Sequence, residues 1–562
     1  MSFAKRQFDF PPGLSDDMRI LTLLLVVLTL NSCARIAELK EITPVFQVTP
    51  GLTATFPNHA EAFGRATKLE RKQPLPAAEL YLGSLQALEN QLDRDPGDLN
   101  LRRAYNFALD RLFSLIRAHN FDPWGAPLQV GRFTVTHKHV PRAGWHPSIF
   151  EFLPTDQVEV GGEYLKYKAT RDGLGASLVA IGRTPKTNAR ATFSQDRTYY
   201  GISAVTSFKG NACEVSFHDP LDEDTVKVGR HIYPLIADYT TPLAVLLTRE
   251  RPERLGLARL LDPDKYAETA RLSRLRPYDA RRIPLLLVHG LLDTPATWVP
   301  MINALRADPL IRKKYQVWVY SYPSGYPYPY SAALLRKELD RVRDVFPTRK
   351  PIVYVGHSMG GMIGRLMVTD SGGKIWDAYF HRAPEKVRMP SREKNLMQDM
   401  LIFQARPDIS RAIFICAPHR GAKLAGNWVG RLGRRLVRVP ATMIALGVAV
   451  AKVVTFSPGG LAYENLPTSI DTLTETNTFV KTVDTLPLSP RIPYHSIIGD
   501  RGRANAKLNL FMGSDSFVSY TSSHLDGAQS ELIIPSNHSG HHNPAGIAEV
   551  IRILHQHLKN ER

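Results

Sequence analysis

Two stretches early in the chain repeat apolar residues at every third or fourth position. The first holds Tyr81, Leu85, Leu88 and Leu92; the second holds Leu101, Tyr105, Leu109, Leu112 and Ile116. That period is the signature of amphipathic helices. Asp95-Pro96-Gly97-Asp98 between them reads as a turn, so residues 74–125 are predicted to form a helical hairpin. From 126 to 245 the period shortens to two, in runs such as GRFTVTHK, ASLVAIG and CEVSF, with turn residues like Lys209-Gly210-Asn211 between them. This pattern predicts a β-rich, sandwich-like domain. A helical linker over 246–280 follows. Beyond Ile283 the alternation disappears. IPLLLVHG, YQVWVYSYP, PIVYVGHS, RAIFICAPH, YHSIIGD and SELIIPS are continuous apolar runs, most of them separated by helix-length segments. Strands buried on both faces and alternating with helices predict an α/β domain with a mostly parallel sheet over 281–562. An insertion at about 420–490 is too long for a simple crossover. Within it Arg431, Arg434, Arg435 and Arg438 fall at helical spacing before an apolar segment, which suggests a lid or a membrane-touching helix. Residues 33–73 are polar and read as a tether.

Length and composition refine this picture. At 562 residues with 43% apolar content, the chain can bury two or three cores. The net charge of +18 favours an anionic membrane or envelope surface, or only solubility. Zinc-finger spacing and aromatic RNA-binding signatures are missing, so no nucleic-acid partner is expected. Three cysteines without a C-x-x-C pair make neither a disulfide framework nor a cysteine metal site.

The segment from Met18 to Cys33 holds Arg19 followed by an apolar core too short to span a bilayer, so residues 1–32 read as a signal peptide. Asp16 and Asp17 suit a signal poorly, which makes Met18 the expected start. The segment ends in Leu30-Asn31-Ser32-Cys33, which resembles the bacterial lipobox. The resemblance implies lipidation at Cys33 and a lipid-anchored protein of the cell envelope. Ala34, rather than aspartate, follows the cysteine, which points to the outer membrane facing the periplasm.

The chemistry centres on Val353–Val368. A buried strand runs directly into G-H-S-M-G-G, and a helix-like segment follows. A serine at such a turn, Ser358, has a strained backbone and an exposed hydroxyl, and flanking glycines avoid clashes within the turn. The helix after it favours developing negative charge. Upstream, His289-Gly290 ends the first buried strand and supplies a loop for a second oxyanion donor, so the amides of Leu291 and Met359 are the candidate pair. His289 and His357 are expected to pack around these turns.

These motifs, with a late histidine before a final helix, resemble the α/β-hydrolase family of serine esterases and lipases over about residues 280–560. YSYPSG at 320–325 and APHRGA at 417–422 are similar to its lipase-like branch, with Ala422 where serine is usual. The resemblance implies the order Ser, acid, His, and no cofactor. Two acids follow the penultimate strand: Asp515, in a turn resembling S-D-G-V-V-P-Y but with Ser516 for glycine, is preferred over Asp500. For the base, His538 is preferred over His541, and His542 completes the cluster. A metal role for these histidines is not expected, because no carboxylate–histidine motif accompanies them. The expected function is hydrolysis of an acyl ester, lipid or otherwise apolar. The alternatives are an acyltransferase with the same triad and an envelope interaction protein with an inactive hydrolase domain.

Overall fold

The computed structural model describes residues 35–46, 57–142, 145–183, 189–347, 349–422, 438, 441–454, 469–502 and 513–560. The signal segment, Cys33 and the arginines at 431, 434 and 435 lie outside them.

The stretch expected to be a tether carries structure. Strand β1 (Glu38–Glu41) pairs antiparallel with a later strand, and helix α1 (Pro57–Leu69) buries Phe63 and Ala66. Single apolar residues on short elements leave little periodicity to read. Helices α2 (Pro74–Arg94) and α3 (Leu99–Ala118) follow. Proline at the first position of α2 needs no hydrogen-bond partner for its nitrogen. Asp98 caps α3, its carboxylate accepting from the amides of Asn100 and Leu101 at 2.7 and 3.2 Å.

The N-terminal sheet uses β2 (Leu128–Val130), β3 (Phe133–His139), β4 (Phe150–Pro154), β6 (Ala176–Arg183), β7 (Arg197–Lys209) and β8 (Ala212–His218). Strand β5 (Val158–Gly161) leaves that sheet to pair with β1. The six strands lie in the order β2–β3–β8–β7–β6–β4. No second sheet of comparable size faces them among the described residues. Helices α2 and α3 cover this face instead, their Tyr81, Leu85, Tyr105, Leu109 and Phe113 sharing one core with Leu178, Ile202, Val215 and Phe217. The expected sandwich is therefore a helix-on-sheet layer. Alternation in the strands reports one buried face and does not say what covers it.

Helix α4 (Thr241–Glu250) leads toward the second sheet. There, β9 (Arg271–Arg274) is a seventh strand where a linker was expected. It is a short edge strand bounded by two arginines, with Leu272 buried, and too brief to show a period. The other six are β10 (Ile283–Val288), β11 (Tyr315–Ser321), β12 (Ile352–His357), β13 (Ile409–Ile415), β14 (Tyr494–Asp500) and β15 (Ser530–Pro535). Their order is β9–β11–β10–β12–β13–β14–β15, with β9 antiparallel and the rest parallel. All residues of β10 and β12 are buried, as a sheet covered on both faces requires. Helices α5 (Val299–Ala307), α6 (Tyr328–Val345), α7 (Met359–Met367), α8 (Ala441–Val454) and α9 (Pro544–Asn560) complete the elements used below.

In the insertion, α8 packs Met443, Leu446 and Ala449 inward and exposes Ile444. Arg438 precedes it and pairs with Asp262 at 2.8 Å. No helix among the described residues is long and apolar enough to cross a membrane.

Hydrogen bonds and ion pairs join the two halves. Thr240 Oγ1 donates to Asn303 Oδ1, and Asn303 Nδ2 donates to the Tyr167 carbonyl, both at 2.8 Å. Asp224 meets Arg171 of its own half and Arg312 and Lys313 of the other. Burial alone would raise the Asp224 carboxyl, but Lys313, Arg312 and Arg171 hold it down at about 2. A depressed carboxyl stabilises the fold above the unfolded-state value of about 4, and this contribution is lost as pH falls toward 2. Asp224→Asn is expected to lower Tm by about 2 °C at pH 7. The difference from wild type should close as thermal melts are repeated down to pH 2.

Candidate active site

Strand β12 ends at His357 and α7 begins at Met359, leaving Ser358 alone at the turn. Its φ of 53° and ψ of −122° lie in a region non-glycine residues avoid. The turn is held by the Ser358 amide donating to the Ile415 carbonyl at 2.9 Å and by the Ser358 carbonyl accepting from Gly361 at 2.8 Å. The backbones crowd here. A Cβ on Gly360 would stand 2.2 Å from the Val288 carbonyl oxygen, and one on Gly356 would stand 2.4 Å from that of Gly360. Glycine at both positions lets α7 approach β10 and β12 closely enough to lift Ser358 to the sheet edge.

The loop after β15 brings His538 to this serine. His538 Nε2 lies 2.8 Å from Ser358 Oγ, and its Nδ1 lies 2.6 Å from Asp515 Oδ2. The other oxygen, Asp515 Oδ1, accepts from the amides of Phe517 and Val518, each at 2.8 Å. An ionised carboxylate only accepts, so Nδ1 carries the ring hydrogen and Nε2 offers its lone pair to the serine hydroxyl. Asp515 is buried at 1% exposure and fixed by its own turn. Asp500 is not brought to the histidine. It ends β14 half-buried, its Oδ1 accepting from the Gly502 amide at 3.1 Å.

Gly290 packs against the nucleophile so closely that a Cβ there would lie 2.9 Å from that of Ser358. The amide of Leu292 is taken by Ser324 Oγ at 3.2 Å, whereas those of Leu291 and Met359 have no acceptor among the described residues. The His289 ring stacks on Tyr322 at 4.3 Å, its Nδ1 donates to the Gly290 carbonyl, and burial pushes it down to about 3. It braces the loop as a neutral ring.

His541 and His542 turn away from the serine. His541 Nε2 lies 2.6 Å from Thr297 Oγ1, and His542 Nε2 donates to the Thr297 carbonyl at 2.8 Å. Burial pushes both rings down, His542 to about 4. His357 Nε2 donates to the His538 carbonyl at 2.7 Å and so steadies the backbone of that loop.

Sequence reasoning misses four residues. The Cys416 thiol lies beside Asp515, and burial together with that carboxylate pushes it up, keeping it protonated. Its position at the carboxyl end of β13, with a φ of 49°, was the available signal. Asp293, in the loop after β10, faces His357 at 3.7 Å, and burial pushes its carboxyl up to about 7. Phe517, 49% exposed, holds its ring 5.3 Å from His538, and Leu292, next to Leu291, is 45% exposed.

A model of the alpha/beta hydrolase family matches residues 285–550. Among solved structures, the mature lipase BlEst2 of Bacillus licheniformis is 17% identical, with 49% of this chain and 93% of that one covered at a TM-score of 0.29. Esterase B of Lactobacillus rhamnosis is 13% identical, with 50% and 77% covered at 0.27. At these scores the structural likenesses carry no argument of their own. No curated protein gives a significant match to the chain.

Proposed function

Residues 285–550 belong to the alpha/beta hydrolase family, and from that premise we propose that this protein is a lipid-anchored serine hydrolase cleaving carboxylic esters of lipid or other apolar acyl groups. The observation that carries the reading is the unbroken relay from Ser358 Oγ through His538 to Asp515, at 2.8 and 2.6 Å, on a strained strand-to-helix turn.

In this reading, His538 Nε2 takes the Ser358 proton as Oγ attacks the ester carbonyl. Asp515 holds the imidazolium that forms. The amides of Leu291 and Met359 donate to the oxyanion, aided by the N-terminus of α7. His538 then gives its proton to the departing alkoxide, which leaves as the alcohol. Water, deprotonated by the same ring, attacks the acyl-serine, and the carboxylic acid is released. No cofactor takes part.

The exposed Phe517 ring beside His538, with the exposed Leu292 next to Leu291, favours an apolar acyl chain. The Leu30-Asn31-Ser32-Cys33 motif supports the anchor. Just beyond it, the Arg35 and Ile36 carbonyls accept from the amides of Glu163 and Tyr164 at 3.0 Å each. The loop that follows exposes Lys166, Tyr167 and Lys168, with Tyr167 75% exposed. A bilayer holding Cys33 would meet these basic and aromatic side chains within a few residues' reach. Outer-membrane attachment facing the periplasm is part of the same proposal.

The test is hydrolysis of p-nitrophenyl esters of graded chain length, with and without detergent, beside Ser358→Ala. Turnover rising from short to medium or long acyl chains, and absent in the variant, is expected. Adding alcohol acceptors and analysing products separates hydrolysis from acyl transfer. Failure of every ester in both conditions would overturn the reading.

A further inference from the structure

Behind the proposed base lies a second cluster that the relay does not use. Asp293 comes from the loop after β10, His357 from the end of β12, and His541 from the loop before α9. One ligand-type atom from each lies within 4.8 Å of the other two. Hydrogen-bond logic shows what they offer one another.

His357 Nε2 sits 2.7 Å from the His538 carbonyl, which only accepts, so Nε2 carries the hydrogen. Burial with the neighbouring His538 keeps the ring neutral, which leaves a bare lone pair on Nδ1. That atom is buried with no hydrogen-bond partner among the described residues. It faces Asp293 Oδ2 at 3.7 Å, beyond hydrogen-bond distance. His541 repeats the pattern. Its Nε2 is engaged by Thr297 Oγ1 at 2.6 Å, and its Nδ1 is buried without a partner among the described residues. If Nε2 carries the hydrogen, Nδ1 is also a lone pair; if Nδ1 carries it, a buried donor is left unsatisfied, at a cost of about 1–3 kcal/mol. The His357 and His541 ring centroids are 3.7 Å apart.

Two ring nitrogens and a carboxyl group therefore converge here, with the Thr297 hydroxyl as the neighbouring donor. Neutral imidazoles with an acid are the ligand set of zinc and of neighbouring transition metals. Tetrahedral ligands at 2.0–2.1 Å from zinc stand roughly 3.3 Å apart; the Asp293–His357 pair is at 3.7 Å and the whole set lies within 4.8 Å, so the loops must draw together on binding. A water completes the fourth position.

We propose that Asp293, His357 and His541 bind one divalent transition-metal ion, zinc by preference, which clamps together the three loops carrying the Leu291 amide, Ser358 and His538. The ion stands behind the base and is a structural clamp. It holds no substrate and takes no part in the ester chemistry, so the site is independent of the function proposed above.

The test uses the mature full-length protein, stripped with EDTA and titrated with Co²⁺ as a spectroscopic stand-in. The expected result is visible d–d absorption of a four-coordinate site saturating at one equivalent, displaced by Zn²⁺. The thermal midpoint of the zinc-loaded protein should exceed that of the stripped protein by about 5 °C or more. Asp293→Asn and His541→Gln, with their folds checked by circular dichroism, should lose the band. Two other groups within binding distance serve as controls: His139 with His218 and Glu223, and Cys416 with Asp515 and His538. His139→Ala should keep the band, and a thiolate charge-transfer feature, which would report Cys416, should be absent. These two readings decide the matter even if both site variants fail to fold. The proposal is overturned if the wild type shows no stoichiometric band. It is equally overturned if the band survives Asp293→Asn, disappears in His139→Ala, or carries thiolate character.

Discussion

Ser358→Ala is expected to abolish labelling by a fluorophosphonate probe and to lower kcat for ester hydrolysis by a factor on the order of 10⁶. The physical ground is that the other parts cannot substitute for the nucleophile. His538 Nε2 is aimed at Ser358 Oγ at 2.8 Å and has no second hydroxyl to activate at that distance among the described residues. Without Oγ, only water can attack. The oxyanion amides and substrate binding would still leave roughly 10³–10⁴ over the uncatalysed rate. The fold should survive, because Ser358 contributes no side-chain cap to α7 and its turn is tied by backbone bonds to Ile415 and Gly361. Labelling that persists in the variant would place the nucleophile elsewhere and defeat the assignment.

The second large effect concerns the acid. Asp515→Asn is expected to lower kcat by about 10⁴ while leaving thermal stability nearly unchanged, whereas Asp500→Asn should change kcat less than twofold. The amide is isosteric and keeps one oxygen for the Phe517 and Val518 N–H groups that fix the turn. Its NH₂ would then face His538 Nδ1 and impose the opposite tautomer, so that Nε2 carries a hydrogen and cannot accept the serine proton. Asp500 serves as the internal control, since it caps its own strand end through Gly502. Kinetics on both variants with one activated ester settles the choice. Equal losses would mean that the acid role is shared, and a loss confined to Asp500→Asn would reverse it.

Several features were legible in the chain because they depend on local physics. Continuous apolar runs such as Ile283–Val288 and Ile352–His357 are what a doubly covered parallel sheet needs, and both are buried throughout. The glycines around Ser358 are demanded by backbone contacts of 2.2–2.4 Å, a requirement that shows in sequence as G-H-S-M-G-G. The helical hairpin was equally readable, since its period is local and its turn carries the Asp98 cap. Where the pattern is short, reading failed. Arg271–Arg274 has four residues and two charges, so its membership in the seven-stranded sheet could not be seen. Glu38–Glu41 is polar on most positions and becomes a strand only because β5 pairs with it.

The sequence by itself therefore determined the parallel α/β architecture of the second half, the turn that strains Ser358, and a short set of histidines and aspartates able to serve it. Each follows from side-chain period or from glycine at a backbone that tolerates nothing larger. Only the tertiary structure decided which members of that set meet. Asp515 rather than Asp500 reaches His538 because its turn folds back over the sheet edge, where its carboxylate also collects two amides. Helices rather than a second sheet cover the N-terminal strands, a choice that alternation cannot express. Asp293 joins His357 and His541 only because β10 and β12 are neighbours and the loop before α9 closes over both. Such contacts depend on distances between segments far apart in the chain, and local periodicity carries no information about them.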